Sequence, residues 1–210
     1  MNIQEFAILT REIILACKQA DLTKLRKLIT PENVNWIFDD ANHLVGTPLS
    51  LLTRLRHDEK VIPCVEFLIS MKADVNWSLY DCGNTALFNT TVPGVVRLLV
   101  KAGADIHRRS GDKLTPLEDI YRLPDVDPED IYYETADFEL AKCFLDLGAH
   151  LPTDAPQWIK SFDKSRRACK AAVVTLLGIK KFRQSPIIGQ NGRDVVRLIA
   201  QDLWAMRFEK

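Results

Sequence analysis

Four histidines, five cysteines and a cluster of carboxylates are the side chains of this chain that could do chemistry. Histidine with cysteine could ligate a metal, a cysteine beside a histidine could act as a nucleophile, and paired carboxylates could pass protons. Their spacing argues against all three. Cys17, Cys64, Cys82, Cys143 and Cys169 are odd in number and share no metal-type spacing. Cys17 and Cys143 fall on apolar helical faces and Cys64 just ahead of one, which reads as small buried hydrophobes. Cys82 falls at a loop tip. His43, His57, His107 and His150 lie in loops or at the ends of apolar runs, where a role in turns is expected. The carboxylates between 125 and 130 sit in a polar stretch with no pocket to tune them. No nucleophile elbow, phosphate-cradling Gly-rich loop or His-Glu-x-x-His pair is present. The expectation is a non-enzymatic chain with no cofactor and no metal.

The elements that would carry these side chains repeat. Glu66-Phe-Leu-Ile-Ser-Met-Lys-Ala-Asp-Val-Asn76 returns as Arg97-Leu-Leu-Val-Lys-Ala-Gly-Ala-Asp-Ile-His107, 31 residues on. A third copy, Lys142-Cys-Phe-Leu-Asp-Leu-Gly-Ala-His150, follows after 45 more. Each apolar run is preceded by a second motif: Thr47-Pro-Leu-Ser-Leu-Leu52, Thr85-Ala-Leu-Phe88 and Thr115-Pro-Leu-Glu118. Threonine suits a helix N-cap and proline the first helical position, while the leucine that follows points inward. Gly103 and Gly148 suit the left-handed turn that ends a helix. The spacing predicts units of inner helix, outer helix and hairpin loop, and such units stack so that each buries the apolar face of the next.

This pattern resembles the ankyrin repeat. Residues 81–107 carry most of the family's motif as Asp81, Gly83, Asn84, Thr85, Ala86 and Leu87, then Val95-Val96, Leu98-Leu99 and Gly103-Ala104-Asp105-Ile106. Ile14-Leu-Ala-Cys-Lys-Gln-Ala-Asp-Leu22, with Leu25, Leu28 and Ile29, looks like a first unit lacking its hairpin. The resemblance implies an all-α solenoid of about four units over residues 1–152, with a C-terminal helical cap over 153–210. Five positions depart from the family's pattern. Ser50, Phe88 and Glu118 stand where histidine is frequent, Pro93 clips the third inner helix, and Lys72 stands where glycine is expected. Positive φ at Lys72 would cost about 1 kcal/mol.

What the resemblance implies about function is binding of another protein through the concave face. Carried over position by position, the candidate binding residues are Trp77, Leu79, Tyr80 and Asp81 in one hairpin and Arg108, Arg109 and Asp112 in the next. Phe88, Asn89 and Glu118 join them from inner helices. Trp, Tyr and Arg dominate interface energetics. Trp36 and Trp77 both follow asparagine at the same repeat position, where packing between hairpins is the competing role.

Net charge is zero, yet the charge is unevenly placed. Residues 122–139 hold seven acids against Arg122, whereas 156–210 hold twelve bases and four acids. The acidic stretch coincides with the lengthened period and reads as an insertion at about 122–136, with Tyr132 and Tyr133 as a further candidate contact. A solvated loop closing on the basic tail is the plainer account. In the tail, Cys169, Val173, Leu176 and Leu177 make one amphipathic face, and Val195, Ile199 and Leu203 another. The closing segment is similar to those of ankyrin proteins of large DNA viruses. Ser165-Arg-Arg-Ala-Cys169 faintly resembles a suppressor-of-cytokine-signalling box, and 194–204 an F-box-like helix. The alternative function is therefore recruitment of substrate to a cullin-type ubiquitin ligase. Arg166-Arg167 with Lys180-Lys-Phe-Arg183 matches a two-part nuclear-import pattern, although a basic helix face is the simpler reading. No aromatic residues interleave with the tail's bases, which does not favour nucleic acid. No apolar run nears the ~20 residues that span a bilayer, and the N-terminus does not look like a signal peptide. The expected location is the cytoplasm, the host's if the protein is viral.

Overall fold

In a computed structural model of the protein, the described residues are 2–39, 45–55, 59–78, 83–121, 135–155, 157, 159–161 and 163–168. The sequence expectations at His43, His57, 79–82, 122–134 and 169–210 lie outside them. The chain divides into two units, Met1–Leu151 and Pro152–Lys210.

Among its described residues, the regular structure of the first unit is α-helical apart from one short ribbon. Its helices are α1 (Ile3–Lys18), α2 (Leu22–Leu28), α3 (Pro48–Thr53), α4 (Val61–Ser70), α5 (Ala86–Asn89), α6 (Pro93–Lys101), α7 (Pro116–Tyr121) and α8 (Thr135–Asp146). Odd and even helices form two rows. α1 packs on α3, α3 on α5 and α5 on α7, while α2 packs on α4, α4 on α6 and α6 on α8. Each odd helix also packs on the even helix that follows it. Helices of four to six residues, as α3, α5 and α7 are, do not persist alone in water. Burial holds them in place. Leu49, Leu87 and Leu117 occupy the same position after the threonine and are each at most 1% exposed, which contributes roughly 1.5–3 kcal/mol per side chain. Val65, Leu68, Val95, Leu99, Phe144 and Leu145 supply the even row's share of the core.

The starts and stops of the helices follow from local chemistry. The Thr47 and Thr115 hydroxyls each accept a backbone N–H three residues on, at 3.3 Å. Thr85 does not, and its buried hydroxyl has no hydrogen-bond partner among the described residues. α5 is correspondingly the shortest helix among them, ending at an extended Thr90 before Pro93 opens α6. At the other end, α1, α4, α6 and α8 each close with a bond from an N–H to a carbonyl five residues back: Asp21 to Ala16, Ala73 to Leu68, Ala104 to Leu99 and Ala149 to Phe144. This closure requires a left-handed residue. Ala20 (φ 49°), Lys72 (φ 69°), Gly103 (φ 95°) and Gly148 (φ 101°) fill that place.

One element departs from the all-helical expectation. β1 (Phe38–Asp39) and β2 (Val45–Gly46) pair antiparallel, Phe38 opposite Gly46 and Asp39 opposite Val45. Phe38 is buried, and a Cβ on Gly46 would lie 2.2 Å from the Ser50 Oγ. Glycine is what lets this ribbon pass over the start of α3.

In the second unit, residues 157, 159–161 and 163–168 are helical, and Ala155 and Ile159 are buried.

Candidate functional site

The hairpin side of the stack is assembled by a row of side chains that reach from each unit to the next. Asn35 donates from Nδ2 to the Lys72 carbonyl (3.1 Å), and its Oδ1 accepts the Asp74 N–H (2.7 Å). Asn76 repeats both bonds one unit later, to the Gly103 carbonyl (3.0 Å) and from the Asp105 N–H (2.8 Å). The carbonyls of Lys72 and Gly103 belong to the left-handed residues that end α4 and α6, so one amide satisfies the exit turn of the next outer helix. Asp74 and Asp105 in turn accept the N–H groups of Asn76 and His107, both at 2.9 Å. His107 occupies the third place in this row and makes a different contact: its ring stacks on His150 with centroids 4.5 Å apart and planes 20° apart.

Of all the features of this edge, the row is the least visible in the sequence. Trp36 and Trp77 stand out by residue type, but the asparagine before each makes the connection. Trp36 lies against Phe6, ring centroids 5.2 Å apart, and Trp77 is half-buried.

The candidate binding residues that are described divide by exposure. Arg109 and Asp112 are exposed in the hairpin before α7. Arg108 is half-buried, with its Nη2 3.1 Å from the Ser78 Oγ thirty residues earlier, so it ties the two segments together. Phe88 and Asn89 are half-buried on α5, and the Asn89 amide reaches the Thr85 carbonyl at 3.4 Å. Glu118 is committed internally. It is 5% exposed, its Oε2 accepts the Thr115 N–H at 2.7 Å, and Arg109 Nη1 lies 3.4 Å from the same oxygen. It completes a capping box with Thr115 rather than facing solvent. Arg109 also donates to the Lys113 carbonyl, at the tip of its own hairpin. Leu79, Tyr80, Asp81, Tyr132 and Tyr133 lie outside the described residues.

The groups that could have done chemistry are placed otherwise. Cys17, Cys64 and Cys143 are buried. Burial and then the neighbouring Cys64 push the Cys17 thiol up to about 12, and burial pushes Cys143 up as well. A thiol in that state is a poor nucleophile. Cys64 and Cys143 instead donate to the carbonyls of Ala20 (3.3 Å) and Pro93 (3.5 Å). Among the described residues no group of three or more His, Cys, Asp or Glu is placed to hold a metal ion. Nor is any helix among them long and apolar enough to cross a membrane.

In the second unit the buried carboxylate of Asp163 takes up the first basic pair of the import-like pattern. Its Oδ1 lies 2.7 Å from Arg166 Nη2 and its Oδ2 2.6 Å from Arg167 Nε. Burial raises the Asp163 pKa, but the two guanidinium groups outweigh it and hold the carboxyl below its ordinary value. Arg166 is left only 14% exposed and Arg167 69%.

No protein-family model matches the chain, and no curated protein matches it at a significant level.

Proposed function

We propose that this chain is an ankyrin-repeat protein that binds another protein without catalysis, through its hairpin tips and inner helices, in the cytoplasm. The observation that carries the reading is the paired-row packing with its asparagine row. Equivalent atoms of successive units meet in the same way at Asn35 and Asn76, which sets consecutive hairpins side by side along one edge. A row of loops on a rigid stack is suited to a broad partner surface and gives no enclosed place for a small substrate. Arg109 and Asp112 would meet the partner directly, while Arg108 and Glu118 set the loops that present them. Buried, unreactive thiols fit a reducing compartment.

Affinity purification of the full chain, followed by mass spectrometry, identifies the bound protein, and purified variants then locate its site. Tyr80→Ala with Asp112→Ala should weaken that binding about tenfold or more, with circular dichroism unchanged. Binding that survives this change but is lost on replacing Tyr132 and Tyr133 would move the site to the acidic insertion. Recovery of elongin or a cullin, dependent on residues 165–204, would favour the ubiquitin-ligase adaptor instead.

A further inference from the structure

The outward face of α1 is built unlike a solvated helix face. Ile8 and Leu15 are 61% and 46% exposed. They lie seven residues apart and therefore one above the other, two turns along the helix. Ile13, Ala16 and Cys17, by contrast, are fully buried on the side that packs against α2 and α3. The Ile8–Leu15 ridge is flanked by charge of opposite sign on its two sides. Arg11 and Lys18 run along one flank and Glu5 and Glu12 along the other, and all four are exposed. Arg11 and Glu12 are consecutive, so they sit at the same height, roughly 100° apart around the helix, with the apolar ridge between them.

A face of this kind is complementary to itself in one orientation. If two copies of α1 lie parallel about a two-fold axis running along the helices, Ile8 meets Ile8 and Leu15 meets Leu15. The acidic flank of each copy then faces the basic flank of the other, placing Glu12 beside the second copy's Arg11 on both sides of the seam. In an antiparallel pairing the two-fold axis would set Arg11 against Arg11 and Glu12 against Glu12, and like charges across a contact disfavour it. We propose that the outward face of α1 is a self-association surface on which a second copy of this chain docks, α1 parallel to α1, with Ile8 and Leu15 at the centre and reciprocal Arg11–Glu12 pairs at the rim. The contact is isologous and closes at two copies. One helix face is a small surface, so the dimer belongs to the weak class, with dissociation in the micromolar range or above. The hairpin edge stays free in such a dimer, so two partner-binding edges would be presented at once.

Sedimentation velocity of the full-length protein, from about 1 µM to about 1 mM, reads the dimer directly. Wild type should shift from monomer to dimer across that range. Glu12→Arg places three positive charges on each side of the seam and should raise the dissociation constant roughly tenfold or more. The combined exchange Arg11→Glu with Glu12→Arg restores the pairing with its signs reversed and should recover the dimer. All of these positions are exposed, so an unchanged helical signal separates loss of docking from loss of fold. Orientation is tested by oxidative cross-linking against a wild-type control. Ile8→Cys alone and Leu15→Cys alone should each form covalent dimers, because equivalent residues meet. An antiparallel pairing would cross-link only a mixture of the two, since they lie roughly 10 Å apart along the helix. A wild type that stays monomeric throughout, a dimer indifferent to Glu12→Arg, or cross-links confined to the mixture would each overturn the proposal. None of these outcomes depends on whether the hairpin edge binds a partner.

Discussion

Asn76 and His107 occupy equivalent places in successive units and join their neighbours by different chemistry. The Asn76 amide donates to the Gly103 carbonyl and accepts the Asp105 N–H, so it satisfies two backbone groups of the next unit. His107 satisfies neither in this way and lays its ring against that of His150. The first joint is directional and specifies register, because an amide meets its two partners only at one offset. The second is a contact between flat faces, tolerant of small slides. This edge is therefore held by paired amide bonds at Asn35 and Asn76 and by a ring contact at His107.

Unfolding in urea tests whether the two joints differ in strength. The largest effect is expected for Asn76→Ala, which removes two hydrogen bonds to the next unit and should cost about 1–2 kcal/mol. Asn35→Ala should match it, since its two bonds are the same. Next comes the residue whose carbonyl the amide holds. Gly103 has φ 95°, and a Cβ added there would meet nothing within 4 Å, so Gly103→Ala should lose about 1 kcal/mol from backbone strain alone. Lys72 stands in the equivalent place with φ 69°, and Lys72→Gly should gain roughly 0.5–1 kcal/mol. A loss there would mean the lysine side chain contributes more to the joint than its backbone strain removes. The smallest change is expected for His107→Ala, about 0.5 kcal/mol, because an exposed ring stack is worth little. Equal losses from His107→Ala and Asn76→Ala would erase the distinction between the joints.

Much of the helical layout is legible in the sequence because it depends on short-range chemistry. Thr-Pro-Leu at 47–49 and 115–117 and Thr-Ala-Leu at 85–87 each announce a helix start, and the leucine at the third position is buried in all three, Leu49, Leu87 and Leu117. Lys72 aligns with Gly103, which assigns it a left-handed turn, and its φ is positive. The candidate site is less legible. Its repeat position suggests Glu118 as a binding residue, yet Thr115 three residues earlier makes it the second half of a capping box. That signal is present in the spacing. Arg108 carries no such warning, because the Ser78 hydroxyl it meets lies thirty residues away.

Identical residues at identical places also have different outcomes. Thr47 and Thr115 cap their helices with the side chain, and Thr85 does not. The ribbon that holds Gly46 presses on Ser50, whose Oγ would lie 2.2 Å from an added Cβ. Residue order alone suffices for what neighbours in the chain decide: the repeat, the helix starts and exits, and which face of each helix is apolar. Only the folded arrangement says which amide bonds which carbonyl, which arginine is tied down and which face of α1 remains outward. Those facts depend on groups some thirty to forty residues apart that packing brings within a few ångströms, and no local propensity encodes that distance.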